Sequence, residues 1–229
     1  MSAGVYVTGT DTGVGKTLAS CALLHALRAR GLRAVGMKPL ASGCERTRDG
    51  WRNEDALALL AASDGAPRYD DVNPYALPEP LAPELAAHAA GVAIAPEPLL
   101  AAYARLAADA DRVVVEGVGG WAAPLSATLD QAALARALGL PVVLVVGLRL
   151  GCINHARLSA RAIRADGLRL AGWIVSDIDP DMACRDENVE LLRARIDAPY
   201  LGRLPHRAVP DAAALAAALA LDDAAFGSG

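Results

Sequence analysis

The 229-residue sequence is poor in aromatic residues, which make up 4% of it and include a single phenylalanine. No platform of rings for stacking nucleic-acid bases is expected. Excess positive charge is missing too: 22 Lys and Arg stand against 26 Asp and Glu, a formal net charge of −4. With a pI near 5.6, the chain offers no polyanion-binding surface, so no nucleic-acid partner is expected. Long apolar runs are absent. The most apolar stretch, Leu138 to Leu148, is short and interrupted by Pro141 and Gly147, so no membrane association is expected. The sequence runs straight into a strand-like stretch, without the basic region and apolar core of a secretion signal. Cys21, Cys44, Cys152 and Cys184 form no CxxC pair and no metal-ligand spacing with the four histidines. Reduced thiols in a cytoplasmic protein are the expectation.

What is present is an alternation. The apolar fraction is 54%, much of it alanine, which favours helices while adding little core volume. Strands are expected at Gly4–Gly9, Leu32–Lys38, Asp111–Gly117, Leu140–Gly147 and Leu168–Ser176, with a short last one at Ala198–Gly202. Helical patterns occupy Lys16–Arg30, Leu129–Leu138, Asn154–Ala165, Glu187–Ile196 and Asp211–Leu221. The proline-rich span from Pro67 to Pro98 reads as an irregular helical excursion. Continuous apolar strands separated by helices predict an α/β fold: one doubly wound, mostly parallel sheet, helices on both faces, residues 1–229 as a single domain.

Such a sheet places chemistry in the loops leaving the carboxyl ends of its strands. The first of these loops is "GTDTGVGKT", Gly9 to Thr17. It resembles a phosphate-binding loop whose first glycine stands one residue early, with Thr10 where that glycine is usual. Gly13 and Gly15 let successive N–H groups wrap an anion at the positive end of the following helix. Lys16 would reach the terminal phosphates and the Thr17 hydroxyl would ligate Mg2+. Magnesium takes one or two carboxylates besides phosphate oxygens; Glu116, ending "VVVE", is one candidate. Asp55 in "RNEDALALL" is the second, or else simply an acid favouring a helix dipole. Lys38, Ser176 and Asp177 end two further strands.

Read together, "VTGTDTGVGKT", "GMKPLASG", "RNEDALAL", "VNPYALPEPLAP", "VVVEGVGGWAAPL", "LPVVLVVGLRLGCINHA" and "LAGWIVSD" resemble the dethiobiotin synthetase family over most of Val7 to Asp177. The lengthened loop is characteristic of that family. The resemblance implies an ATP- and Mg2+-dependent ring closure in biotin biosynthesis. CO2 converts the diamine 7,8-diaminononanoate to a carbamate, ATP phosphorylates it, and the second amine displaces phosphate to close the cyclic urea. It implies Lys38 and Lys16 as catalytic cations, with Thr12 and Ser42 near the diamine and carbamate. Nucleotide contacts are implied for Gly13, Val14, Gly15, Lys16, Thr17, Leu18, Asp55, Glu116, Gly117, Val118, Gly119, Ser176, Asp177, Pro205, His206 and Arg207. Residues types suit the reaction, because an anionic carbamate must meet an anionic phosphate and cations must neutralise both.

Several positions depart from the family pattern. Gly13 replaces a glutamate common in related loops. Ser176 replaces an asparagine that reads the adenine edge, so weaker base discrimination is expected with triphosphate binding intact. His206 and Arg207 could equally be an exposed loop. Trp121, Trp173 and His155 read as structural. "RLGCINHA" leaves a strand and opens a helix, so the N–H groups of Gly151, Cys152, Ile153 and Asn154 offer a second anion site, for the substrate's distal carboxylate. The resemblance implies a homodimer that presents this segment to the partner's phosphate loop. Two alternatives remain open at this level. One is a partitioning-type ATPase switch, although Asp11 stands where its second lysine is usual. The other is a different amide-forming ligase of the same lineage.

Overall fold

Val- and Ile-rich runs form the strands, and Ala- and Leu-rich runs the helices between them, as their backbone preferences dictate. The structure is a computed structural model and describes residues 3–221. Strand β1 (Ala3–Gly9) leads through the glycine-rich loop into helix α1 (Lys16–Ala29), followed by β2 (Ala34–Met37). An excursion then holds β3 (Leu40–Ala41), a hairpin of β4 (Glu45–Thr47) and β5 (Gly50–Arg52), and α2 (Glu54–Ala62). It continues through α3 (Tyr69–Val72), β6 (Tyr75–Ala76), α4 (Pro83–Ala90) and α5 (Pro96–Ala108). The remainder alternates: β7 (Arg112–Gly120), α6 (Gln131–Leu138), β8 (Val142–Gly147), α7 (Cys152–Ala165) and β9 (Leu170–Ser176). Helix α8 (Arg185–Arg193), β10 (Tyr200–Leu204) and α9 (Ala212–Leu215) complete the order.

Six strands form one parallel sheet in the order β10-β9-β8-β1-β7-β2. The chain moves from β1 to the β2 edge, returns to insert β7, then crosses β1 to β8. Strand β1 therefore sits at the reversal of strand order, where a doubly wound sheet opens a crevice at its carboxyl ends. Alternating residues feed two apolar layers. Val113, Val115, Leu144 and Trp173 join Leu99 of α5, Leu134 of α6 and Ile163 of α7 on one face. Val5, Val7, Val114, Val143 and Ile174 join Leu23 and Leu24 of α1 and Leu215 of α9 on the other.

The expected α/β architecture is present, with local differences. The closing helix, expected over Asp211–Leu221, ends at Leu215 and gives way to a 3-10 turn at Ala216–Ala218. There Leu219 bridges back to Gly202 of β10, and that pairing overrides alanine propensity. The Pro67–Pro98 span is more regular than expected, because Pro83 and Pro96 each start a helix at a position where proline is pre-organised. The last strand lies at Tyr200–Leu204 rather than Ala198–Gly202. The tail Asp222–Gly229 lies outside the described residues.

The β2 edge shows how the excursion is anchored. The Gly36 N–H donates to Ser63 Oγ at 2.8 Å, which protects an otherwise open edge. A Cβ on Gly36 would stand 2.8 Å from Leu59 Cβ and 3.1 Å from Leu24 Cδ1, so glycine lets α2 and α1 approach the strand. Gly36→Ala is expected to destabilise the fold by about 1–3 kcal/mol through overpacking. Urea unfolding monitored by circular dichroism measures this, and an unchanged midpoint would contradict the packing of α2 on β2.

Candidate active site

Register builds the centre of the site. Strand β7 lies between β1 and β2, with Val7 opposite Glu116 and Met37 opposite Val115. Lys38, one residue past β2, therefore arrives beside Glu116. Its backbone is held on both sides: its N–H donates to Val72 O at 2.7 Å and its carbonyl accepts from Asn73 Nδ2 at 2.7 Å. The Lys38 ammonium, 3% exposed, donates to Glu116 Oε1 at 2.6 Å and Asp55 Oδ2 at 2.9 Å. A longer contact of 3.4 Å reaches the Gly117 carbonyl. Thr17 Oγ1 also donates to Glu116 Oε1, at 3.0 Å. The other Glu116 oxygen, Oε2, is buried and has no protein partner. Asp55 sits in the first turn of α2, whose N-cap Asn53 accepts from the Ala56 N–H. Both of its sequence-level readings hold in part, since it lies at a helix N-terminus and also bonds Lys38.

The glycine-rich loop sits beside this cluster. Gly15 adopts φ 84° at the N-cap of α1, with no side chain capping the helix, so the first N–H groups are free for an anion. The buried Ser176 hydroxyl lies directly under Gly15 and leaves no room there for a Cβ. Gly13 is also left-handed, at φ 71°, in open space. A glutamate at that position would be strained in this conformation, which gives the departure at Gly13 a backbone reason. Lys16 Nζ donates to the Asp11 carbonyl at 2.9 Å. The Asp11 carboxylate accepts from Thr12 N–H at 2.7 Å and from Arg149 Nη2 at 2.5 Å.

A cavity of about 830 Å3 opens over these groups. Its wall brings together Thr12, Gly13, Gly15, Lys16, Thr17, Lys38, Ser42, Asp55, Glu116, Val118 and Gly119 from the expected set. Other expected residues lie elsewhere. Val14 is buried beneath the loop and Leu18 packs against the α1-side core. Asp177, Pro205 and His206 border a neighbouring depression of about 750 Å3 at the ends of β9 and β10. Both Asp177 carboxylate oxygens already accept from Arg203 Nε, at 2.8 and 3.0 Å. Arg207 is exposed. Gly151, Cys152, Ile153 and Asn154 form the start of α7 but are not part of the cavity wall. Trp121 and Trp173 are packing residues, as expected, with Trp121 edge-on to Tyr6. His155, expected to be structural, is instead exposed along a groove with Trp121 and Leu158.

Charge and burial set the protonation states. Burial alone would depress the Lys38 ammonium, but Glu116 and Asp55 outweigh it and hold the group above its ordinary value. Burial likewise opposes the Asp55 carboxylate, and Lys38 prevails, keeping it below the usual range. Lys16 has no such carboxylate bond. Burial, then repulsion from Lys38, lowers it to about 8.

Sequence pattern assigns no role to Asn73, Asn53 or Arg149. Asn73 falls within "VNPYALPEPLAP" and Asn53 within "RNEDALAL", but nothing in their spacing shows that they hold the Lys38 and Ser42 backbones.

The chain can be set against known proteins. A family model described as AAA domain matches residues 3–214. The ATP-dependent dethiobiotin synthetase BioD of Xanthomonas euvesicatoria pv. vesicatoria is 68% identical over 216 residues, which cover 94% of this chain and 96% of that protein. The protein of the same name from Xylella fastidiosa (strain 9a5c) is 69% identical over 201 residues, 88% of this chain and 89% of its own. Among solved structures, the MinC:MinD cell division complex of Aquifex aeolicus aligns with TM-score 0.55 at 15% identity, over 90% of this chain and 82% of that one. A ParA family ATPase from Chlorobium tepidum aligns with TM-score 0.54 at 13% identity, over 91% and 86%. At such identities the likeness concerns the fold alone.

The buried cluster yields a stability prediction. Lys38→Met leaves the Glu116 carboxylate buried without its cation, and breaking such a pair is expected to destabilise by about 3–5 kcal/mol. Adding Glu116→Gln removes the stranded charge and recovers part of that loss. A double-mutant cycle in urea measures the coupling; strictly additive effects would contradict a direct Lys38–Glu116 pair. The Asp55 contribution is complete above the ordinary carboxylate range and is lost as pH falls through its depressed value.

Proposed function

Because the chain belongs to the family of ATP-dependent dethiobiotin synthetases, we propose that this cavity closes the cyclic urea of dethiobiotin from 7,8-diaminononanoate, CO2 and ATP. The observation that carries the reading is the Lys38 ammonium, fixed between Glu116 and Asp55 and lining one cavity with Lys16 and Thr17. The reaction needs a carbamate anion to approach a triphosphate anion, and two positioned cations reduce that repulsion. Lys38 serves as a permanent cation, not a base, because its carboxylate partners hold it protonated. Its charge also disfavours the ammonium form of a nearby substrate amine, leaving the nucleophilic free amine. Lys16, lowered to about 8, gains its proton fully when a triphosphate supplies the missing negative charge. Thr12 and Ser42 line the same cavity and orient the diamine and carbamate.

The donor set fits Mg2+. The buried Glu116 Oε2 lacks a partner, and Thr17 Oγ1 lies beside the same carboxylate. Among the described residues no group of three His, Cys, Asp or Glu could hold a metal by itself. Phosphate oxygens would complete such a site, as is usual for magnesium. Thr17, Glu116 and Asp55 would hold the ion, and bound Mg2+ supplies charge neutralisation at the triphosphate. The base is read in the neighbouring depression by Asp177, Pro205, His206 and the adjoining Arg207. Ser176, buried under Gly15, contributes to the loop's floor more than to base recognition.

We assign the whole chain to one ligase domain, working as a homodimer. Gly151–Asn154 stand outside the chain's own cavity, and neighbouring Leu150 and Leu158 are 92% and 54% exposed. A second chain would cover these apolar groups and bring an α7 N-terminus to the substrate carboxylate. No helix among the described residues is long and apolar enough to cross a membrane. The four cysteines are free, which supports a reducing compartment, the cytoplasm.

Two experiments test these readings. With diamine, bicarbonate, Mg2+ and ATP, the cyclic urea is expected by mass spectrometry, and phosphate release requires diamine and CO2 together. Equal ATP hydrolysis without either co-substrate would favour a switch ATPase instead. For the shared site, Lys16→Ala and Asn154→Trp subunits are each expected to be inactive alone, and a mixed dimer to recover one working site. A verified heterodimer without activity would place both halves on one chain.

A further inference from the structure

Between Val7 and Gly9, β1 advances by two residues while β7 advances by four, from Glu116 to Gly120. Strand β7 therefore bulges over Gly117–Gly119, and a bulge leaves backbone groups that its neighbour strand does not serve. Besides the long Lys38 contact to the Gly117 carbonyl, the Gln131 side chain bonds this bulge. Gln131, the first residue of α6 and fully buried, donates through Nε2 to Val118 O at 2.6 Å and to Gly120 O at 2.5 Å. Its Oε1 accepts from the Val118 N–H at 3.0 Å and from the Tyr6 hydroxyl at 2.8 Å. Both donors and both acceptor sites of the amide are thereby used. Asp130 fixes the start of α6 by accepting from the Ala133 N–H at 2.7 Å. Gln131 Oε1 and the Tyr6 hydroxyl also fill the space that a Cβ on Gly117 would need, so the glycine and the amide are matched.

The bulge is part of the site. Val118 and Gly119 line the cavity, and the Gly117 carbonyl lies 3.4 Å from Lys38 Nζ. We propose that Gln131 is a positioning residue of the ring-closing site: its amide takes the place of a neighbouring strand and holds the Gly117–Gly120 wall against Lys38. This rests on the ring-closure reading of the cavity. Gly120 also pairs with Gly9 at the start of the phosphate loop, and the family resemblance implies nucleotide contacts at Gly117, Val118 and Gly119, so the tie bears on the nucleotide side of the cavity as well as on the Lys38 side.

The test separates turnover from nucleotide affinity. Gln131→Met keeps the length and removes all four hydrogen bonds. Gln131→Glu keeps the acceptor for Tyr6 and Val118 and turns the donor into an oxygen facing two carbonyls. Folding is checked by near-ultraviolet circular dichroism, ATP affinity by calorimetry, and kcat and diamine KM by cyclic-urea formation. Each folded variant is expected to lose about 10- to 100-fold in kcat/KM for the diamine, the cost of a wall displaced by about 1 Å, with a smaller change in ATP Kd. Wild-type kcat/KM in a folded variant overturns the positioning role, as does a loss confined to ATP affinity. Failure of both variants to fold also overturns it, since the amide would then serve the fold and not the site. A wild-type chain that makes no cyclic urea removes the ring-closure reading itself, a failure distinct from these.

Discussion

A protonated amine taken out of water is stable only when carboxylates surround it, and the Lys38 ammonium imposes that condition on everything near it. Glu116 must come up from β7 and Asp55 from α2, so the β2–β7 register and the docking of α2 are tied to one charge. Asn73 and the Val72 carbonyl then hold the Lys38 backbone, which links the excursion to the sheet edge. The same arrangement leaves one Glu116 oxygen buried and unpartnered beside Thr17.

The two lysines of the site differ because their neighbours differ. Lys38 is bonded by carboxylates and stays charged, whereas Lys16 is held only by a backbone carbonyl and has its pKa lowered to about 8. In the ring closure proposed above, Lys38 organises the carbamate and Lys16 answers the triphosphate.

The fold alone does not separate this activity from others. Its sheet resembles those of a MinD complex and a ParA family ATPase at 13–15% identity, and a fold hosts many functions. The phosphate loop and Thr17 would suit any such protein. Lining the same cavity are Lys38, Ser42, Asp55 and the bulged end of β7, the groups on which the proposed ring closure rests. Ser42 and Asp55 come from the excursion between β2 and β7, a segment that a minimal doubly wound sheet does not need.

Local chemistry written in contiguous residues was legible without coordinates. The Val-rich runs of β7, β8 and β9, the glycine-lysine-threonine end of the loop, and Lys38, Asp55 and Glu116 as charged residues at element ends all follow from periodicity and strand-end position. So do the parallel sheet and its helices. Other features depend on pairings between distant segments, which periodicity does not record. The two extra residues in β7 show only against β1, and Gln131 reads as one more polar residue opening a helix until its amide is seen on Val118 and Gly120. The closing helix stops early because Leu219 pairs back to Gly202, a contact that alanine propensity cannot foresee. Ser176 reads as a strand-end group facing the nucleotide, and only packing places its hydroxyl under Gly15. Residue type and spacing determined which chemistry the chain carries. The tertiary structure decided which carboxylates hold the buried cation and which backbone an amide must complete, because burial makes those partnerships obligatory.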